Sequence, residues 1–336
     1  MSTNIDSPVS GLDRPFDNII NFRDVGRTIN SMAGENLLKE GVLFRSARLD
    51  EASDEDIRRL TGDMHVSAII DLRSSAEHRM AITKYKKKHT TVSPQEYPLD
   101  EQQLTNESQS QDSEENYIHL PSLDNTTTTR HLISLTGRAF EKRLLWQLNW
   151  WNFTKVLSYL VTGYREDAVR IIGELVMKPA GLTGLAMDTL EASTMEMKKI
   201  FDVLSSTSSS AAPGVAPYDF TPGGVLVHCT QGKDRTGLIV LLSLLLTGVV
   251  DGETVAREYV LSEKELEKEP AEEKEQRMME IRALGLDEEY ARCPRDFTQK
   301  ITAFLGEKYG GAQGYFDFIG VEKEVIEKVR TRFLFH

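Results

Sequence analysis

The sequence predicts an α/β fold, a central and mostly parallel sheet flanked by helices. Three observations carry this expectation. Val66 to Leu72 (VSAIIDL) is a compact, β-branched apolar run of the kind found in strands buried on both faces. Val225-Leu226-Val227 is a second such run. Leu238 to Val250 follows it as the longest apolar stretch of the chain, too short to span a bilayer and suited to a buried helix. With 336 residues the chain can build one large core or two small ones.

Taken in order, residues 1–16 read as a flexible polar tail with turn-formers at Pro8, Gly11 and Pro15. The tail has neither a basic start nor an apolar stretch, so it does not read as a signal peptide, and a cytoplasmic location is expected. Residues 17–336 are expected to form a single domain. Asn18 to Val25 and Val42 to Arg45 suggest two strands around a turn containing Gly34. Ser53-Asp54-Glu55-Asp56 matches a capping box with Asp in place of Glu, with Ile57 and Leu60 on the buried side of a short helix. Residues 96–130 are polar and acidic, without Lys or Arg up to position 125, and read as a flexible insertion loop. Residues 138–176 have helical spacing, and Trp146, Trp150 and Trp151 within them suit core packing, a helix–helix contact or the wall of a substrate cleft. Residues 204–224 form a Ser-, Pro- and Gly-containing loop. After the apolar helix, Gly248 is a plausible C-cap and Asp251 a plausible N-cap. The stretch 251–296 is helical in pattern with 15 acidic and 8 basic residues, the composition of solvated helix faces.

Composition narrows the function. Two cysteines, Cys229 and Cys293, exclude a disulfide framework and a multi-cysteine metal site. A net charge of −12 argues against nucleic acid as a partner. That charge is uneven: residues 96–125 carry −8 and residues 251–296 carry −7, which leaves +3 for the rest.

The informative segment lies in that remainder: Val-Leu-Val-His-Cys-Thr-Gln-Gly-Lys-Asp-Arg-Thr-Gly, residues 225–237. A strand delivers Cys229 into a short loop, and a helix opens near Thr236. Backbone N–H groups of such a loop curl round an anion, and the helix N-terminus adds positive potential. Thr230, Gln231, Gly232 and Lys233 form the cradle, and Gly232 supplies the positive φ that brings the backbone close. Arg235 offers a planar fork for phosphate oxygens. The same donors stabilise a thiolate at Cys229, making it a nucleophile beneath a bound phosphoryl group. Thr236 Oγ is placed to donate to the sulfur as it leaves. A nucleotide-binding P-loop is excluded, because Asp234 follows Lys233 where Ser or Thr is needed.

His228-Cys229-(Thr-Gln-Gly-Lys-Asp)-Arg235-Thr236-Gly237 resembles the active-site signature of the cysteine-dependent protein tyrosine and dual-specificity phosphatase superfamily. The Gly-Lys-Asp-Arg-Thr-Gly form is similar to its bacterial and fungal tyrosine and lipid phosphatase branch. Asn21-Phe22-Arg23-Asp24-Val25-Gly26, Leu43-Phe44-Arg45-Ser46-Ala47 and Ile70-Asp71-Leu72-Arg73 resemble that branch's amino-terminal motifs. Glu258-Tyr259-Val260-Leu261-Ser262 and Tyr309-Gly310-Gly311 fit its carboxy-terminal half. The resemblance covers residues 17–95 and 180–336 and fails in 96–180.

The resemblance implies a protein tyrosine phosphatase-like fold with a helical insertion or lid, the acidic stretch 251–296 being the lid candidate. It implies hydrolysis of phosphomonoesters through a phosphocysteine, with Cys229 attacking and Arg235 binding phosphate. For this branch it implies Asp234 as the general acid, the alternative being that Asp234 tethers the loop by an ion pair. Asp71 either reaches the site or pairs with Arg73, and the loop residues Asp100 and Asp124 are weaker acid candidates. Lys233 would favour phosphoinositides or simply attract any phosphoester, and Lys84 to His89 (KYKKKH) would hold an anionic headgroup or form a solvated helix face. His228 orients the loop, and Cys293 is an idle thiol. Phosphorylated proteins and phosphoinositides are the expected partners, with no metal, no organic cofactor and no stable membrane insertion. The competing readings are a silent phosphate-binding relative and an inositol polyphosphate phosphatase. The sequence specifies no oligomeric state.

Overall fold

The computed structural model describes residues 16–89, 117–118, 120, 123–124, 126–206 and 223–335. Five strands form one sheet: β1 (Arg23–Asp24), β2 (Leu43–Ser46), β3 (Val66–Asp71), β4 (Thr129–Leu132) and β5 (Gly224–His228). Their spatial order is β1-β2-β5-β3-β4, antiparallel between β1 and β2 and parallel elsewhere. The predicted α/β class with a mostly parallel sheet is therefore the observed one.

Side chains alternate along the central strands, and both faces are covered. Val225 and Val227 of β5 join one core cluster with Leu43, Ala68 and Ile70. Leu226 joins the other with Phe44, Val66 and Ile69. With a period of two, Cys229 continues the face of Val225 and Val227. The last strand in sequence is the middle one in space. The loop after it is therefore flanked by the carboxyl ends of β2 and β3, where ligands bind in open parallel sheets.

Helix ends follow local rules. Helix α1 (Val25–Ala33) starts at Asp24, whose carboxylate accepts from the Arg27 N–H at 3.2 Å, and stops at Gly34 with φ of 77°. Gly34 thus caps a helix and not a turn between strands; the strand expected at Val42 to Arg45 is present as β2, whereas that expected over Asn18 to Val25 is corrected to the two residues of β1. Phe16, counted with the tail, is buried against Phe22. The capping box at Ser53 opens α2 (Asp54–Arg58) as the sequence predicts, and Asp56 also accepts from the Asp17 and Asn18 N–H groups. Helix α3 (Ser75–His89) follows β3.

Helices α4 (Arg138–Trp146), α5 (Trp150–Val161) and α6 (Arg165–Ile172) occupy the expected helical stretch, and a π-helical turn (Gly173–Met177) leads into α7 (Lys178–Ala192). Trp146, Trp150 and Trp151 are exposed, so they are not packed core, although Trp146 at the end of α4 stacks on Phe153 of α5. Residues 96–116 and 207–222 lie outside the described residues, and with them Asp100. At the end of the polar stretch, however, Ile118 and Leu120 join the core and residues 129–132 form β4, so that stretch is not all loop.

Helix α8 (Thr194–Ser205) leads toward β5. Helix α9 (Asp234–Thr247) starts two residues earlier than predicted and is buried along nearly its whole length. Gly248 caps it with φ of 69°, and Asp251 caps α10 (Gly252–Leu266), both as predicted. Helix α11 (Ala271–Ala283) buries none of its residues, in keeping with a solvated face. Helix α10 departs from that reading, because it buries Glu258, Tyr259 and Ser262. Helices α12 (Phe297–Tyr309), α13 (Ala312–Phe318) and α14 (Lys323–Phe333) complete one face of the core. Among the described residues no helix is long and apolar enough to cross a membrane.

Candidate active site

The loop of residues 229–233 joins β5 to α9 and is held from behind by its carbonyl oxygens. Thr230 O accepts from the Arg48 N–H at 3.1 Å. Gln231 O and Gly232 O accept from Asn21 Nδ2 at 2.9 and 3.1 Å. Gly232 O also accepts from Arg45 Nη2 at 2.7 Å, and Lys233 O from the same nitrogen at 3.3 Å. A trans peptide points its N–H opposite its C=O. Tying these four carbonyls to one side therefore turns the N–H groups of residues 231–234 to the other, the arrangement that can hold an anion. Gly232 has φ of 66°, and a Cβ there would lie 2.0 Å from Ser46 O, so both conformation and space require glycine.

Three sequence motifs meet behind this loop. Arg23 Nε and Arg45 Nη1 donate to the two oxygens of Glu258 at 2.8 and 2.7 Å. Both guanidinium groups also reach Ser262 Oγ, at 3.0 and 3.1 Å. Arg23 Nη1 donates to Asn21 Oδ1 at 2.6 Å, which fixes the amide whose nitrogen grips the loop. Asn21 adopts φ of 54°, a left-handed conformation that asparagine tolerates better than most residues. Burial pulls the Arg23 guanidinium down to about 10, and Arg45 beside it acts in the same direction. Burial would raise Glu258, yet its two arginines hold it below the usual carboxylate range.

Cys229 is buried at the base of the loop. Arg235 spends one end of its fork on Glu77: Nη1 donates to Oε2 at 2.6 Å and Nη2 to Oε1 at 2.5 Å. It also donates weakly to Leu72 O and Thr136 Oγ1, at 3.3 and 3.4 Å. A guanidinium has five N–H bonds, and this grip on Glu77 leaves the Nε and outer Nη2 hydrogens for phosphate oxygens. Thr230 Oγ1 donates to Glu77 Oε1 at 2.5 Å, so one carboxylate holds both ends of the loop. Against the desolvation of its burial, Arg235 holds Glu77 at about 2. Thr236 Oγ1 is buried with no hydrogen-bond partner in this state.

The remaining candidates divide. Asp234 Oδ1 lies 3.0 Å from Lys233 Nζ and accepts from Tyr259 OH at 3.2 Å, so the tethering contact exists, and the side chain is partly exposed. Lys233 is fully buried, and its ammonium also donates to Arg292 O at 2.6 Å and Tyr290 O at 3.3 Å. It is therefore spent on protein oxygens and adds no open charge to the cradle. Asp71 is buried among Arg73, Arg130, His78 and His228, and outweighs its own desolvation to sit well below the usual range. Such a carboxyl holds no proton to give. Arg73 in turn binds both oxygens of Asp50, at 2.7 and 2.9 Å, and does not face the loop.

His228 Nδ1 lies 3.2 Å from Cys229 O, and burial lowers its ring to about 4, so it is a neutral imidazole packed against the start of the loop. Cys293 is buried beside Tyr259 O, and burial pushes its thiol up to about 11. Lys84 lies 3.8 Å from Glu273 of α11, whose carboxylate also binds Arg48, so the acidic helix touches the basic rim of the loop.

The sequence model of the tyrosine phosphatase family matches residues 14–139 and 178–335. The chain belongs to the tyrosine phosphatase family. A tyrosine-protein phosphatase of Nostoc commune is 36% identical over 115 residues, which is 33% of this chain and 39% of that protein. The match thus spans well under two thirds of that relative. Both segments of the family match include clamp residues, whereas α5, α6 and the π-helical turn fall in the gap between them.

Sequence reasoning missed Glu77 as a site residue. Its signal was present: Ser74-Ser-Ala-Glu77 is a capping box, with Ser74 N–H donating to Glu77 Oε2 at 2.9 Å and the Glu77 N–H to Ser74 Oγ at 3.3 Å. Asn21, Arg45 and Glu258 lay inside quoted motifs, but nothing in their spacing said that they converge. Tyr259 covers Gly237, where a Cβ would meet its ring at 2.8 Å, and stacks on Phe297 with centroids 4.4 Å apart.

Proposed function

We propose that the protein hydrolyses phosphomonoesters through a phosphocysteine and acts on phosphotyrosine in proteins. The observation that carries this reading is the loop itself, four carbonyls tied back and Arg235 braced by Glu77, with Cys229 at its base. A preorganised cradle of this kind stabilises the charge that develops on a transferring phosphoryl group.

In the first step the Cys229 thiolate attacks phosphorus, an S–P bond forms and the P–O bond to the leaving group breaks. Asp234 gives that oxygen its proton. Water then attacks the phosphocysteine, Asp234 takes a proton from it, and the thiolate leaves with Thr236 Oγ1 donating to the sulfur. Asp234 is preferred over Asp71 because Asp71 is enclosed by arginines and ionised, whereas Asp234 is partly exposed beside the loop. The phosphoinositide reading loses the support it drew from Lys233, whose ammonium is held by Tyr290, Arg292 and Asp234.

Turnover of p-nitrophenyl phosphate and of phosphotyrosine, phosphoserine and phosphoinositide substrates tests this. Wild type should release phosphate fastest from phosphotyrosine peptides, and Cys229→Ser should bind them without turnover. Asp234→Asn should lower kcat by on the order of a hundredfold on peptides, with less loss on p-nitrophenyl phosphate, whose leaving group needs no proton. A catalytically silent wild type that still binds phosphoesters, or an Asp71→Asn variant showing the leaving-group pattern instead, defeats the respective assignment.

A further inference from the structure

Helix α5 is built like a core helix and stands in solvent. Between Trp150 and Val161 its sequence, WWNFTKVLSYLV, contains one charged residue, Lys155. One residue of the helix, Val156, is fully buried. Trp150 is 74% exposed, Trp151 82%, Val161 80%, and Trp146 at the end of α4 69%. Along α5 the apolar residues recur at helical spacing: Trp150, Phe153, Leu157 and Val161 form a stripe, and Trp146 at the end of α4 joins it by stacking with Trp150 on Phe153, at 5.8 and 6.3 Å between centroids. A continuous exposed apolar patch of this kind marks a docking surface.

Charge and residue type select the occupant. Arg143 of α4 is spent on Asp188 and Glu191 of α7, so the basic charge offered beside the stripe is that of Lys142 and Lys155, in a chain whose net charge is −12. Tyr159 and Tyr164 flank the stripe, with the Lys155 ammonium 5.7 Å over the Tyr159 ring. Tryptophan, tyrosine and lysine around an aliphatic stripe is the composition of helices that lie in the headgroup region of a bilayer. A second copy fits worse, because a two-fold face would set these basic residues against one another.

We propose that α5, with Trp146, is an interfacial anchor that docks the protein on an anionic lipid surface. The proposal is independent of the phosphatase chemistry. The anchor sits on a braced platform. Beyond α6, a Cβ at Gly173 would lie 1.7 Å from Leu284 O, Tyr290 OH donates to Met177 O, and Lys178 lies 3.4 Å from Asp287. The segment around Tyr290 is the one whose carbonyls hold Lys233 beside the loop.

The experiment is favoured by composition, because the three tryptophans of the chain are all in this patch. Intrinsic fluorescence of the full chain is recorded with vesicles of phosphatidylcholine, with and without phosphatidylserine, and with brominated lipid as quencher. The expected result is a blue shift and quenching with the anionic vesicles, and weak binding to neutral ones. Leu157→Glu and Val161→Glu should each weaken partitioning about tenfold or more, while hydrolysis of a soluble phosphoester stays at the wild-type rate. Unchanged emission with anionic vesicles overturns the proposal. So does equal binding to neutral vesicles, or a dimer by light scattering whose emission is already blue without lipid.

Discussion

Behind the Cys229 loop, Arg45 and Glu258 are buried and the Arg23 side chain is nearly so; on the hairpin of α5 and α6, tryptophans, leucines and valines stand in solvent. Each region breaks the ordinary rule of burial, and they break it in opposite directions. Arg23, Arg45 and Glu258 can be buried because each charge meets a fixed partner and the remaining donors end on Ser262, Asn21 and loop carbonyls. Their cost is offset by what they position. Among the described residues the hairpin has no such internal account, and the proposed lipid anchor is what would cover its apolar surface. The clamp lies within the segments that match the tyrosine phosphatase family, and the hairpin lies between them.

Substitutions can break this contrast. Glu258→Ala leaves two buried guanidinium groups without their shared carboxylate, and should cost about 3–5 kcal/mol in urea unfolding. A loss below about 1 kcal/mol would mean that water reaches the clamp and that its burial is not what holds the loop.

Next in size is a pH effect. His228 titrates at about 4 when folded and near its ordinary value when unfolded. Its contribution is complete above about pH 6.5 and is lost as the pH falls toward 4, because the unfolded chain takes up the proton first. Unfolding free energy should drop by about 1.4 kcal/mol per pH unit for this group across that window. His78 and His131 are shifted the same way by burial, so His228→Asn is needed to isolate its share. Glu77, held at about 2, adds acid sensitivity only lower, below about pH 4.5. A slope unchanged in His228→Asn would remove the buried neutral imidazole from the account.

Glu77→Gln should preserve the fold and lower kcat about tenfold, since Arg235 loses its charged, two-pronged partner while Cys229 is untouched. A change in KM alone would make Glu77 a binding residue and not a positioning one. The smallest effect is expected on the hairpin: Leu157→Gln should change stability by less than about 0.5 kcal/mol, as an exposed site does. A loss of 2 kcal/mol or more would show that the stripe is packed after all.

Much of the site was legible before any coordinates, for local reasons. The strand, glycine and helix around Cys229 are consecutive in sequence, so their chemistry can be read from spacing. Gly34, Gly248, Ser53 and Asp251 act as caps for equally local reasons, although Gly34 was assigned to a turn between strands. Lys233 shows the limit. Its position in the signature says nothing about which way a long side chain turns, and contacts nearly sixty residues away decide that. Asp71 was ambiguous for the same reason, and Arg130 and His228, from other strands, settled it as a buried hub.

The sequence by itself determined the sheet class, the candidate loop around Cys229 and the family, because these depend on periodicity and on residues that adjoin along the chain. Only the tertiary structure decided that Glu77 braces Arg235 and Thr230 and that Glu258 joins Arg23 to Arg45. It alone decided, too, that the tryptophans face outward. Those facts depend on long-range packing, where a charge is buried or an aromatic exposed according to what the rest of the chain brings beside it.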